Sequence, residues 1–273
     1  MIKAVFFDVD GTLVSFKTHQ VPQSTLEAIK ELQAKGIKVF VATGRHPSIL
    51  SEGNNVHEID FDGFVTLNGQ YCFTKDREII YENNICKEDI VFLLEFMKEN
   101  KFPCAFVEDK DTYINYIDDV VENLLKSVNV PLPPVENIER AINGKVFQLN
   151  PYVNVEFQEK LMKVLPNCEA TRWSPAFIDV IPAGGGKHVA IEKIMEYYGY
   201  KKDEIMAFGD GGNDKTMLMT AGIGVAMGNA NEDVKEIANY VTTSVDENGV
   251  LNALKYFNII YESDTTSRYE SRA

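Results

Sequence analysis

Three short stretches place acids, a hydroxyl and a cation where a strand or helix would end. Asp8 and Asp10 stand one residue apart in VFFDVDGTLV, residues 5–14. Thr43, Gly44 and Arg45 follow the apolar run 37–42, and Asp210, Asn213 and Asp214 crowd into GDGGND after the run 205–208. Lys187 follows three glycines and opens a segment of helical periodicity. Carboxylates gathered at one rim repel and raise one another's pKa. A hard divalent cation relieves that repulsion. Mg2+, which takes carboxylate, water and phosphate oxygens, is the ion this set predicts. No His or Cys joins the acids, which disfavours transition metals.

The remaining groups suit a phosphoryl group. Thr43 offers a hydroxyl, Gly44 a backbone amide open to close approach, Lys187 an ammonium, and the Gly11-Thr12 turn more N–H donors. Phosphoryl transfer depends on such positioning and charge stabilisation. One carboxylate can attack phosphorus and form an aspartyl-phosphate. A second, two residues on and so on the same strand face, can protonate the leaving oxygen and then deprotonate the hydrolytic water. Each signal alone is weak: Asp-x-Asp is usually a solvated turn, Thr-Gly-Arg a loop, and a lysine at a helix start a surface charge. Their order, each at an element end, makes the set specific. GGGKH (residues 184–188) lacks the upstream Gly and following Ser/Thr of a P-loop. Residues 8–11 lack the Gly and Glu positions of an EF-hand.

These residues need elements to position them. Residues 3–8 read as a buried strand. Ser24-Thr25-Leu26-Glu27 is a capping-box pattern that predicts a helix start, with Gly36 as its end. Strands at 37–42 and 63–67 complete a strand–helix–strand rhythm, which signals a parallel sheet. The middle differs. A hairpin over 70–81, helices near 88–100, 118–128 and 154–165, and strands near 103–108, 111–116, 145–150, 168–172 and 177–181 predict an inserted α+β unit of about 100 residues. The first rhythm resumes after Pro182, with a helix at 187–198, strands at 205–208 and 223–226, and a helix at 213–220 between them. The expected division is 1–82 plus 182–261 as an α/β, Rossmann-like core and 83–181 as the insert. The polar residues 262–273 are expected to be disordered.

Composition narrows the function. The chain has 273 residues and a net charge of −14, from 41 acids against 27 bases. That disfavours nucleic acid and anionic membrane as partners, while a local cluster of donors can still hold an anion. Cys72, Cys86, Cys104 and Cys168 show no Cys-x-x-Cys spacing and read as reduced thiols of a cytoplasmic protein. No signal peptide is visible, and no apolar run approaches the ~20 residues of a membrane helix.

The chain resembles the haloacid dehalogenase (HAD) superfamily, with DVDGT (8–12), ATGR (42–45), Lys187 and GDGGND (209–214) standing as its four motifs. An insert between the second and third motifs resembles the Cof-type, subfamily IIB branch with a C2-type cap, a group of sugar-phosphate phosphatases. Asn68-Gly69 and Gly228-Asn229-Ala230 fit the same pattern. The resemblance implies Asp8 as nucleophile and Asp10 as general acid/base. It implies Mg2+ held by the Asp8 carboxylate, the Asp10 carbonyl and Asp210, supported by Asn213 and Asp214. Thr43, Gly44 and Lys187 would bind phosphate, Arg45 would reach the phosphate or the rest of the substrate, and residues 14–21 would form a mobile turn. Asn213 counts among both the phosphate-binding and the metal residues. The implied substrate is a small phosphorylated metabolite, such as a hexose or pentose phosphate, and the implied assembly a monomer or weak homo-oligomer. A phosphomutase and a non-catalytic sugar-phosphate-binding regulator are the alternatives. Arg172 and Trp173 are candidates to read the leaving group, and the glycines at 184–186 predict a loose approach to Lys187.

Overall fold

The computed structural model describes residues 1–127, 130–172 and 174–261. Trp173 and the tail 262–273 lie outside the described residues. The chain opens with β1 (Ala4–Phe7), α1 (Gln23–Ala34), β2 (Lys38–Ala42), β3 (Gly63–Thr66), β4 (Tyr71–Thr74) and β5 (Ile79–Glu82). Next come α2 (Lys87–Glu99), β6 (Cys104–Val107), β7 (Thr112–Ile114), α3 (Asp119–Ser127), β8 (Gln148–Pro151), α4 (Val155–Met162), β9 (Cys168–Thr171) and β10 (Asp179–Pro182). It closes with α5 (Lys187–Tyr198), β11 (Ile205–Gly209), α6 (Lys215–Thr220), β12 (Ile223–Ala226), α7 (Glu232–Lys235), β13 (Tyr240–Val241) and α8 (Gly249–Tyr256).

Two sheets result. The larger has eight strands in the order β13-β12-β11-β1-β2-β3-β4-β5. From β13 to β3 the pairings are parallel, and β4 and β5 add an antiparallel hairpin. β1 is central and fully buried, so its residues read as a continuous apolar run. Alternation sends them to opposite faces. Val5 and Phe7 pack with Leu26, Ile29 and Leu32 of α1 and Ala253 and Leu254 of α8. Ala4 and Phe6 pack with Ala190, Ile191 and Ile194 of α5 and Met217 and Leu218 of α6. Phe6 stacks on Phe40 at 4.7 Å and Phe7 on Phe208 at 5.0 Å, tying β1 to both neighbours. This three-layer arrangement fixes the carboxyl end of β1 between those of β2 and β11, where open α/β sheets place their sites.

The smaller sheet has five strands in the order β7-β6-β8-β10-β9, and its pairings are antiparallel. Phe106, Leu149 and Val180 point to one face and pack with Leu93 and Met97 of α2 and Leu161 of α4. The alternate residues Gln148, Asn150 and Asp179 therefore lie on the other face. Both crossings between the sheets rest on Gln70, which is fully buried. On the way out, Asn83 donates to Gln70 through its backbone N–H (2.8 Å) and its side-chain amide (2.9 Å). On the way back, Gly185 lies so close that a Cβ there would stand 2.5 Å from Gln70 Nε2.

Three local expectations differ from the structure. α1 begins one residue earlier than its capping-box pattern, after Pro22, whose side chain has no acceptor to cap it, and Ser24, now inside the helix, donates its Oγ to Asn248 Oδ1 at 2.6 Å. The segment 213–220 is split: a 3-10 turn over Gly212–Asp214 precedes α6. The approach to Lys187 is packed rather than loose, since Gly185 meets Gln70, and Gly186 takes a φ of 123° that only glycine adopts readily.

Candidate active site

Asp8 follows β1 directly and donates its backbone N–H to Phe208 O of β11 at 3.0 Å, which aligns the two strand ends. The chain then turns sharply at Gly11, with φ 89°, where a Cβ would lie 2.2 Å from Asp210 Oδ2. Only glycine lets the first turn pass this close to the fourth motif. Thr12 Oγ1 donates to Asp210 Oδ1 at 2.8 Å, and Asn229 Nδ2 donates to Gly11 O at 2.8 Å and to Asp210 Oδ2 at 3.3 Å.

Asp8, Asp210 and Asp214 are buried and offer oxygens that all lie within 4.8 Å of one another. Lys187, at the start of α5, donates to Asp8 Oδ1 and to Asp214 Oδ1, both at 2.6 Å. The other oxygen of Asp214 accepts the backbone N–H groups of Asp210 (3.0 Å) and Gly211 (2.9 Å). Both Asp214 oxygens are thus engaged, and its carboxylate closes the 210–214 loop and orients the lysine. Burial raises the Asp8 pKa well above the carboxylate range, and repulsion from Asp214 adds to it, against the pull of Lys187. Burial also pushes Asp210 up to about 7, again with help from Asp214. For Lys187, burial works against the charge, but Asp214 and Asp8 overcome it and raise the pKa. One ammonium does not balance three buried carboxylates. The unmet charge, with oxygen donors alone, fits a hard divalent cation.

Asp10 stands outside this triad. Arg45 holds it in a bidentate pair, Nε to Oδ2 at 2.9 Å and a terminal nitrogen to Oδ1 at 2.7 Å. The Asp10 side chain is 41% exposed, so it faces the mouth of the site rather than its floor. Arg45 also donates to the carbonyls of Ile49 and Leu50 at 3.3 Å, which fixes the fork on Asp10. Thr43 is buried after β2, and its hydroxyl accepts the Arg45 N–H at 3.1 Å. Gly44 packs against the Asn68 side chain, and Asn213 Nδ2 donates to Asn68 Oδ1 at 3.0 Å.

The segment after residue 14 is tethered: Ser15 donates to Asp246 at 2.6 Å and Lys17 pairs with the same acid at 2.9 Å. Arg172 is committed elsewhere. Its guanidinium donates to Gln158 Oε1 and to the carbonyls of Val153, Ser174 and Pro175, so it staples its own sheet rather than presenting donors to a leaving group. Asn68, Asn229, Gln148, Asn150 and Asp179 surround the site without having been singled out for a role. Only the Asn-Gly and Gly-Asn-Ala pairs gave a signal, because amides carry no diagnostic spacing. His46 bridges the sheets. Its Nδ1 accepts the Ser48 N–H (3.1 Å), so the proton sits on Nε2, which donates to Glu108 O at 2.8 Å.

Comparisons with known proteins give the family. The haloacid dehalogenase-like hydrolase family matches residues 5–254, and the chain belongs to it. More narrowly, it falls in the Cof-type, subclass IIB branch. It is 34% identical to the putative phosphatase YkrA of Bacillus subtilis (strain 168) over 261 residues, covering 94% of this chain and 98% of that one. Its fold is similar to that of the HAD phosphatase BT1666 of Bacteroides thetaiotaomicron, with TM-score 0.88, 41% identity and coverage of 95% and 96%. The subclass IIB sugar phosphatase BT4131 matches with TM-score 0.84, 43% identity and coverage of 94% and 100%. The protein is a hydrolase of the phosphatase class, and these relatives do not favour a phosphomutase. Among the described residues, no helix is long and apolar enough to cross a membrane.

Proposed function

We propose that the protein hydrolyses phosphate monoesters of small metabolites, sugar phosphates foremost, through an aspartyl-phosphate on Asp8 and with Mg2+. The observation that carries this reading is the buried convergence of Asp8, Asp210 and Asp214 on Lys187, beside the Asp10–Arg45 pair. The likeness to a sugar phosphatase supports the substrate class. The same reading takes 1–82 plus 182–261 as the catalytic unit and 83–181 as its cap, which the two separate sheets support.

Asp8 attacks phosphorus, and the bond from phosphorus to the leaving oxygen breaks. Asp10, once it carries a proton and turns from Arg45, which here occupies both of its carboxylate oxygens, gives that proton to the leaving oxygen. It then takes a proton from water, whose oxygen attacks phosphorus and releases Asp8 and inorganic phosphate. Lys187, Thr43, the Gly44 amide and Asn213 hold the phosphoryl oxygens, and Arg45 reaches the substrate as well. Asp8, the Asp10 carbonyl and Asp210 would hold the cation, with Asn213 and Asp214 in support. When bound, the cation neutralises charge on the phosphoryl oxygens and the attacking carboxylate. Asp8→Asn keeps the shape of the side chain and removes the nucleophile. Hydrolysis of p-nitrophenyl phosphate with Mg2+ is expected to fall at least about a thousandfold with melting temperature retained. Wild-type turnover by this variant would refute the assignment. A screen of phosphorylated metabolites read by released phosphate tests the substrate class.

A further inference from the structure

Asn68 stands where three parts of the chain meet. Its backbone N–H donates to Thr43 O at 3.0 Å, and its side chain lies 3.0 Å from where a Cβ on Gly44 would stand. Its Oδ1 accepts from Asn213 at 3.0 Å. Its Nδ2 points the other way, to Gln148 Oε1 at 3.0 Å and Asp179 Oδ2 at 3.3 Å on the smaller sheet. Asp179 also accepts from Asn150 at 2.6 Å and Gln148 at 3.4 Å. A carboxylate among amides offers acceptors only, and this sets the direction of every amide linked to it. Asn68 must turn its NH2 toward Asp179 and its oxygen toward Asn213. Asn213 must answer with its NH2, which leaves its own oxygen on the side of Gly211.

The backbone at this point is held against its preference. Leu67, Asn68 and Gly69 have φ values of 53°, 54° and 91°, three left-handed residues in a row. A bulky residue such as Leu persists there only where its surroundings over-determine it. Leu67 is clamped by Val107 and Phe147 of the insert, and Gly69 abuts Gly186 O, 2.3 Å from where a Cβ would be. One strained turn is thereby anchored to both sheets and carries the amide that joins them.

We infer that Asn68 is a positioning residue through which Asp179 of the smaller sheet sets the amide orientation of Asn213 at the phosphoryl site. The site is then in its working arrangement only while that sheet lies over it. This rests on the phosphatase reading. Without Asp179 as a fixed acceptor, Asn68 and Asn213 can both turn over, and the donor presented to the phosphoryl group is lost for part of the time.

The test is a double-mutant cycle with p-nitrophenyl phosphate, whose leaving group makes few demands on the insert. Asn68→Gly removes the side chain and tolerates the left-handed backbone; Asp179→Asn removes the fixed polarity. Each is expected to lower kcat about tenfold with KM changed less than about twofold, and the double variant is expected to be no worse than Asn68→Gly alone. Multiplying losses, a loss confined to KM, or an unchanged kcat in either single variant would overturn the relay. Should Asn68→Gly fold poorly, kcat and KM of Asp179→Asn, read beside its melting temperature, still decide. Wild-type activity that Asp8→Asn removes keeps the phosphatase reading standing even where the relay fails; an inactive wild type sinks the reading itself.

Discussion

Lys187 is the residue on which the electrostatics of the site turn. Its side chain is fully buried, as is that of Asp214, and it is the cation that pairs with Asp8. Removing one partner of a buried ionic set leaves the others uncompensated, typically at about 3–5 kcal/mol. Lys187→Met is therefore expected to lower the unfolding free energy by about that much near pH 8 in metal-free buffer. Near about pH 5 the loss is expected to shrink, because Asp8, whose pKa is already raised, can take up a proton. Urea melts at the two pH values check this; equal losses would show that the lysine is not compensating Asp8. At this scale the reactive types were legible in the sequence, because Asp8, Asp210 and Lys187 each close or open an element. The amides were not. Asp179 precedes Lys187 by only a few residues, yet nothing in its neighbourhood distinguishes it from a strand-edge acid. Arg172 shows the reverse: its type promised recognition, and four local acceptors absorbed it.

Among the elements, the turn over Leu67–Gly69 is the tightest joint. A methyl group on Gly69 would meet Gly186 O and Lys187 N, and a φ of 91° is closed to alanine. Gly69→Ala is expected to destabilise the protein by about 2–4 kcal/mol. It is also expected to lower kcat, because the displaced backbone carries Lys187. Chemical denaturation and p-nitrophenyl phosphate kinetics measure the two effects, and a stable, fully active variant would contradict the packing described. Periodicity located most of the helices and strands, since apolar spacing is a local property. Their ends were less legible. Ser24 has the form of a cap, but Asn248, far along the chain, claims its hydroxyl. The three glycines before Lys187 look flexible in sequence, and only the fold brings Gln70 against them.

On the scale of the whole molecule, the acidic balance and the buried triad make stability depend on pH and on metal together. The folded pKa of Asp210, pushed up to about 7, lies above its unfolded value. Its contribution is therefore complete below about pH 4 and is lost as pH rises through about 7. A cation bound at the triad reverses this, because it favours the ionised form. The rise in melting temperature on adding Mg2+ is accordingly expected to be larger near about pH 8 than near about pH 5.5. A pH-independent rise would place the cation elsewhere. The parallel sheet and its α+β insertion were readable as a change of rhythm along the chain. Their mutual placement was not, because the contacts of Asn68 with Asp179 and of His46 with Glu108 span residues far apart in sequence.

The buried amide of Gln70 governs how the two sheets can move. Outgoing and returning linkers both bear on it, one through Asn83 and the other through Gly185. Two tethers held at a single point would favour a pivot over sliding, like a door hung on one pin. Asn68, two positions away, lies almost on that pin and travels little, whereas the outer strand of the smaller sheet sweeps the widest arc. Access for large substrates would thus be won at the rim, and a swing wide enough to part Asp179 from Asn68 would release the arrangement around phosphorus.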